Sequence, residues 1–302
     1  MVGLALIAGQ GGVPPHLVRV LLARGEVPLV CEVEQFPSQI LGDLPRLGFR
    51  LETFGTLLAE LRARGVTRLC MAGAMPRPTA DPARIDAATT PLVPRLMAAM
   101  ARGDDSTLRE IVAIIEAAGI AVIGAAEIAP DLLPEAGILA GALHPDVRAA
   151  MPAAEAALAE MGRADEGQAL VLRGATVIAR EDARGTDAML GDLVRGDDWT
   201  LDPFDLADRA LGSAADWLSG ADAQETAPAI LVKAPRPGQE MRVDMPVIGP
   251  DTAACAARAG LAGIVIAAGG VMVLDRARVI EGLAGAGMFL WVRAMGRAGR
   301  QG

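Results

Sequence analysis

The chain has 302 residues, with 37 acidic against 28 basic side chains and a formal net charge of −9, a balance that excludes a protein whose main task is to coat nucleic acid, since phosphate binding needs a net basic face. Hydrophobic residues make up 52% and charged residues 22%, which supplies a large core and excludes intrinsic disorder. Aromatics are 3% with no tyrosine, so the core must come from Ala, Leu, Val, Ile and Met, and aromatic platforms for single-stranded nucleic acid are excluded.

Strand and helix signals alternate through the first half. An apolar run over residues 2–7 ends in Ala8, Gly9, Gln10, Gly11 and Gly12, and Pro14 suits the first turn of a helix reaching about Arg24. Residues 28–33 read as a second strand, 56–64 as a helix, and 67–71 as a third strand stopping at Ala72 and Gly73. Residues 91–101 are predicted helical. After Asp104 and Asp105, the residues Leu108, Ile111, Val112 and Ile115 recur at i, i+3, i+4 and i+7, which makes one buried helical stripe. Residues 120–123 are a fourth strand. This alternation predicts an α/β fold with a Rossmann-like, mainly parallel sheet covered on both faces. Ligands of such sheets bind at the carboxyl ends of the strands, which puts Gly9, Gly11, Gly12, Gly73 and Glu32 on the candidate edge.

A stretch rich in Pro and Gly over 130–152 breaks the pattern, and the domain boundary is placed near residue 136. The expected organisation is an N-terminal Rossmann-like domain over 1–135 and a C-terminal mixed α/β domain over 136–302. In the second half, 169–172 and 176–179 flank Arg173, Gly174 and Ala175 as a β-hairpin. Residues 186–195 read as a helix, and 196–226 as an acidic, polar segment carrying Trp199 and Trp217. Strands are predicted over 230–233, 263–266, 271–274 and 288–292. The uncharged runs 1–18 and 259–274 are broken by glycines, and the second is shorter than the about 20 apolar residues of a spanning helix. Neither is read as a membrane span or signal peptide. Cys31, Cys70 and Cys255 stand far apart, the first two inside strand-like runs, so they read as small buried hydrophobes in a reduced, cytoplasmic protein. With only His16 and His144, any metal is expected on carboxylates, which suits magnesium or manganese.

Four segments could carry chemistry. Gly9 to Pro14 after a strand, with Glu32 where a ribose carboxylate would stand, is similar to a dinucleotide fingerprint, although Pro14 occupies a glycine position. A tight turn, a nucleotide site and a nicotinamide site are all open there. Asp104 and Asp105 open the clearest helix; one suffices as a cap, leaving the other for a hydroxyl or a metal. Gly185, Thr186 and Asp187 open another helix, with Thr186 as its cap. The most informative segment runs from Lys233 to Gly249. Its three prolines, Pro235, Pro237 and Pro246, forbid a regular helix, so Lys233, Arg236, Gln239, Glu240, Arg242 and Asp244 project from a stiff extended loop. Mixed cations and carboxylates after a buried strand suit an anionic substrate and a divalent ion, and a salt-bridged surface turn is the alternative. The chain carries 27 Arg and a single Lys, Lys233, whose compact ammonium is not interchangeable with a guanidinium.

The ordered set of Gly3 to Gly9 with Gly11, Phe54–Gly55, Ala72–Gly73 with Arg77–Pro78, Gly103–Asp104–Asp105, Gly185 to Leu190, and Lys233 to Gly249 resembles the UDP-2,3-diacylglucosamine pyrophosphatase family of lipid A synthesis, of the alphaproteobacterial type distinct from the metallophosphoesterases. The resemblance spans nearly the whole chain. It implies hydrolysis of the diphosphate of UDP-2,3-diacylglucosamine, a lipid-linked nucleotide sugar, to 2,3-diacylglucosamine 1-phosphate (lipid X) and UMP, with attack on the sugar-side phosphorus. It also implies Mg2+ or Mn2+, two α/β domains with the site between them, a homodimer, and a cytoplasmic protein with peripheral membrane contact. Its essential acid falls at Asp244 in the Arg242, Asp244, Pro246 element. Lys233 and Arg242 would screen phosphate charge, and Asp244, Asp187 and Glu240 are the expected metal ligands. Gly9, Gly11, Gly12, Gly73, Asp104, Asp105, Thr186 and Gln239 are the expected substrate contacts. One departure stands out: Arg184 precedes Gly185, where members of the family usually have an acid; if that acid helps bind metal, Glu181, Asp182 or Asp187 must substitute. The rival readings are a sensor that binds the nucleotide sugar without cleaving it and, resting only on the glycine loop and Glu32, a nicotinamide-dependent oxidoreductase.

Overall fold

A strand in the middle of a parallel sheet is covered on both faces, so it must be apolar at every position rather than alternately. The computed structural model, which describes residues 3–75, 80–195 and 227–294, has such a strand at the start: β1 (Leu4–Ala8) is buried throughout. Arg77, Pro78 and the segment with Trp199 and Trp217 lie outside the described residues. The chain divides into two compact units, Met1–Leu132 with Gln239–Met245, and Leu133–Gly238 with Pro246–Gly302.

In the first unit β1 leads into α1 (Val13–Ala23), with proline in its first turn as expected. There follow β2 (Leu29–Val33), β3 (Arg46–Phe49), α2 (Phe54–Ala63), β4 (Arg68–Ala72), α3 (Val93–Met100), α4 (Asp104–Ala117), β5 (Ala121–Ile123) and the short α5 (Ala125–Ile128). The sheet is all parallel in the order β3-β2-β1-β4-β5. Strand β3 escapes the sequence reading because only Phe49 of its four residues is buried, so it offers no apolar run. Val112 and Ile115 of α4 pack with Leu57 and Leu61 of α2 against Ala5, Ile7 and Cys31. Burial pushes the Cys31 and Cys70 thiols up to about 12, in keeping with inert, protonated core residues. The order reverses between β1 and β4, whose carboxyl ends carry Gly9 to Gly12 and Gly73. That is the switch point at which such sheets bind ligands.

The second unit contains β6 (Gly137–Ala140), α6 (Pro145–Arg163), β7 (Ala169–Arg173), β8 (Thr176–Arg180), α7 (Thr186–Arg195), β9 (Ala229–Lys233), β10 (Val247–Ile248), α8 (Pro250–Arg258), β11 (Gly263–Ala267), β12 (Met272–Val273), α9 (Arg276–Gly285) and β13 (Phe289–Arg293). Its six-stranded sheet runs β6-β13-β11-β9-β7-β8, with β9, β11 and β13 parallel and the others antiparallel to their neighbours. Strands β10 and β12 form a separate parallel pair. The predicted hairpin is β7–β8. The region over 130–152 is a correction: it contains β6 and the first half of α6, a 19-residue helix with Pro152 inside it. A proline there removes one helical hydrogen bond. The helix tolerates it because Val147, Ala150, Met151, Ala154, Ala157 and Met161 are buried along one face. On β9, Ala229 and Leu231 join the core beneath α7 and α8, while Ile230 and Val232 join the core beneath α6. Period-two alternation therefore turns Lys233 toward α7 and α8, at the carboxyl end of its strand.

Candidate functional site

The second unit buries a cation among neutral and acidic partners. Lys233 and Thr186 are each 6% exposed and Glu181 is 7% exposed. Lys233 Nζ donates to Thr186 Oγ1 at 2.7 Å, and Thr186 Oγ1 donates to Glu181 Oε1 at 2.5 Å. The second carboxylate oxygen, Glu181 Oε2, accepts from the Gln168 backbone N–H at 2.6 Å. Three chain segments build this cluster: the end of β9, the first residue of α7 and the residue after β8. Glu181 is further pinned by Gly167, at φ +40°, where a Cβ would lie 2.4 Å from the Glu181 carbonyl oxygen. Thr186, expected to touch substrate, has its hydroxyl committed to Lys233 and Glu181. The neighbouring Asp187 accepts from Thr252 Oγ1 of α8 at 3.0 Å. Arg184, the departure from the family pattern, is an exposed residue that pairs with Asp182 and Asp192. The buried acid of this region is thus Glu181, not a neighbour of Gly185.

The other half of the loop belongs to the first unit. Gln239, 8% exposed, donates through Nε2 to Asp244 Oδ2 at 2.7 Å and also to the Asp244 carbonyl. Glu240 N–H donates to Asp105 Oδ1 at 3.0 Å, and Asp105 Oδ2 accepts from Arg109 of its own helix. Asp105 is therefore a tether for the loop, and Gly103 rather than either aspartate stands at the N-cap of α4; Asp104 is exposed. Arg242 grips both oxygens of Glu240 through Nε and Nη2, at 2.9 and 2.8 Å, and reaches Glu116 Oε1 through Nη1 at 2.7 Å. The guanidinium holds the Glu240 carboxyl below its ordinary value, against the opposing effect of partial burial. Backbone N–H groups of Val243 and Asp244 both donate to the Glu240 carbonyl, closing a turn. Val243 packs on the apolar core of the unit. Asp244 thus stands on a turn braced from three sides.

The glycine loop has a structural explanation in part. A Cβ on Gly9 would lie 2.5 Å from the Ala74 carbonyl oxygen, and one on Gly73 (φ +91°) would lie 2.7 Å from the Gln10 carbonyl oxygen. The two glycines let the ends of β1 and β4 cross, where Gln10 and Ala74 pair. Gly11, at φ +93°, has nothing within 4 Å of its missing Cβ, and Gly12 precedes α1. Glu32, the ribose carboxylate of the oxidoreductase reading, accepts from Ser38 Oγ at 2.5 Å and from Arg46 Nη1 at 2.9 Å. Those partners account for it as a brace between β2 and β3. Gly55 likewise meets the Ala88 backbone, and its N–H donates to Thr89 Oγ1 at 2.8 Å.

The expected metal ligands already have protein partners or stand apart. Glu240 has both oxygens on Arg242, Asp187 is held by Thr252, and among the described residues no three His, Cys, Asp or Glu side chains cluster where they could hold an ion. The side chains fit a ready-made metal cage poorly. Magnesium needs less, since one or two carboxylates and the substrate's own phosphates complete its shell. Gln168 and Glu116 are the contributors that motif reading does not assign to the site, because each acts from a segment far in sequence from Lys233 or Asp244; Glu181 stands among the three acids expected to replace the one missing before Gly185, and burial singles it out.

Sheet order, switch-point glycines and a braced polar loop define a two-domain α/β protein, with an all-parallel sheet first and a mixed sheet second. The chain belongs to the LpxI family: the family's N-terminal domain matches residues 3–132 and its C-terminal domain matches residues 135–291. It is 34% identical over 288 residues, 95% of this chain and 96% of the relative, to the UDP-2,3-diacylglucosamine pyrophosphatase LpxI of Caulobacter vibrioides.

Proposed function

We propose that this protein hydrolyses UDP-2,3-diacylglucosamine, adding water across the diphosphate to release 2,3-diacylglucosamine 1-phosphate and UMP in lipid A synthesis. The observation that carries the reading is a family match running through both domains, together with 34% identity across nearly the whole chain to a relative of that activity. In this reading Asp244 takes the proton of the attacking water, as a carboxylate positioned by Gln239 and by the turn beneath it. Lys233 offsets the charge that grows on the leaving phosphate. Arg242 and Asp105 hold the loop in register through Glu240, and Gln239 orients the base. The switch-point segment with Gly11 and Gly12 offers backbone N–H groups to phosphate. Where magnesium or manganese is bound, Asp244 and the substrate phosphates would hold it, with Asp244 then a ligand rather than the base, and the ion would neutralise the diphosphate charge. The diacyl substrate resides at a membrane surface. Carried over from the family resemblance, the reading includes a cytoplasmic homodimer with peripheral membrane contact; among the described residues no helix is long and apolar enough to cross a bilayer.

Purified protein is incubated with UDP-2,3-diacylglucosamine, with magnesium or with EDTA, in water enriched in 18O. Mass spectrometry is expected to find UMP and lipid X, with the label in lipid X if water attacks the sugar-side phosphorus. Asp244→Ala should lower kcat by about 10²–10⁴-fold, the range of a general base. Substrate left intact by folded wild type would replace the hydrolase reading by the sensor. Full turnover in EDTA would remove the metal.

A further inference from the structure

Glu181 has no role in the reaction read above, yet it is an ionisable side chain removed from water in the same cluster as Lys233. Buried polar groups persist only when paired, and the chemistry of these three leaves one pairing pattern. An ammonium only donates, an ionised carboxylate only accepts, and a threonine hydroxyl has a single proton to give. The hydroxyl proton must point at Glu181, which turns a lone pair of Thr186 Oγ1 toward Lys233 Nζ. Glu181 does not do this by direct contact. Its Oε1 lies 3.9 Å from Nζ, beyond hydrogen-bond reach, and its Oε2 is tied to the Gln168 N–H.

We propose that Glu181 is a positioning residue for Lys233, acting through the Thr186 hydroxyl, so that the ammonium is fixed in place before substrate arrives. The proposal rests on the reading that Lys233 serves the hydrolysis. It accounts for Glu181 and Thr186 being buried together, and for the one position in the chain that carries lysine. A planar guanidinium is larger than the ammonium and does not replace it as a compact donor to the Thr186 hydroxyl. Displacing a catalytic group by an ångström costs about 100-fold in rate, which sets the effect to expect.

The test uses the full-length enzyme and four substitutions, with rates normalised to folded protein by thermal melts. Thr186→Val keeps the volume and removes the hydroxyl, and Glu181→Gln keeps the shape and removes the charge. Both are expected to lower kcat by about 10–100-fold with KM moved much less, because the group misplaced acts at the transition state. Thr186→Ser restores the hydroxyl and should recover kcat to within about 3-fold of wild type. Lys233→Ala tests the parent reading: full activity in that variant removes Lys233 from the reaction and the proposal with it. If Lys233→Ala is inactive while Thr186→Val and Glu181→Gln both keep kcat within about 3-fold of wild type, the positioning role falls and the hydrolase reading stands. A second measurement is independent of activity. As the chain holds one lysine, 15N-lysine labelling gives one side-chain ammonium resonance. It should be sharp and slowly exchanging in wild type and Thr186→Ser, and lost to exchange in Thr186→Val and Glu181→Gln. An unchanged resonance in both of those variants would overturn the proposal.

Discussion

Glu52 shows how a single carboxylate can matter to the fold without belonging to the site. It is 2% exposed, its Oε1 accepts from the Asp81 N–H at 2.9 Å and from Arg50 Nη2 at 3.1 Å, and it is held down to about 2 from an ordinary 4.5, chiefly by that backbone hydrogen bond. A depressed carboxylate stabilises the folded state above its unfolded value and loses that contribution as pH falls through the folded one, because the unfolded chain binds the extra proton. Stability should therefore fall between about pH 4.5 and about pH 2 with a slope that Glu52→Gln lacks. Urea unfolding midpoints across that window measure it, and parallel slopes in the two proteins would remove Glu52 as the cause. Other single residues are legible before folding, others not. Asp244 and Lys233 announce themselves by motif and by rarity. Glu181 is legible only as one of three candidate acids near Gly185, because nothing local marks which of them meets partners on α7, ahead of β7 and at the end of β9.

At the level of elements, the crossing of β1 and β4 separates two kinds of glycine. A methyl group at Gly9 would meet backbone, which cannot swing aside, whereas one at Gly11 would meet open space. Gly9→Ala is expected to destabilise by about 1–3 kcal/mol through overpacking. Gly11→Ala should cost about 1–2 kcal/mol from its positive φ alone and strike activity harder than stability, if its N–H faces phosphate. Chemical denaturation beside kcat/KM for each variant separates them, and equal losses of stability and activity at both positions would merge the two roles. Elements with strong patterns are visible in the sequence: β1, α4, the β7–β8 hairpin and α7 all fall where hydrophobic period and turn residues put them, although the expected capping side chains of α4 and α7 are used elsewhere. Strand β3 and the β6–α6 region are not. The first has one buried residue in four, and the second hides a long helix behind a proline that only tertiary burial can offset.

Across the whole molecule, the chain leaves the first unit at Leu132 and returns to it for seven residues, Gln239–Met245, before completing the second. Arg242 is the main clasp of that return, joining Glu240 to Glu116 of α4. Arg242→Ala should speed thermolysin cleavage within 239–245 and lower kcat/KM by about 10-fold or more through a misplaced Asp244. Arg242→Lys should rescue neither, since an ammonium cannot grip two carboxylate oxygens in parallel. Unchanged cleavage in both variants would show that the turn and Val243 suffice to hold the segment.

The amino-acid order by itself determines the fold class, because hydrophobic period and glycine or proline punctuation are local signals that survive in one dimension. It also determines the family, through motifs kept in sequence order, and with it the acid expected to matter. The tertiary structure alone decides how the polar residues pair. Glu240, Arg242 and Glu116 could have been ligands, free charges or a brace, and they are a brace. Lys233 could have faced solvent, and it is buried on a threonine that a distant glutamate orients. Pairing depends on which side chains meet once the sheets are covered, and burial removes water as an alternative partner, so each charge takes the partner that the packing leaves it.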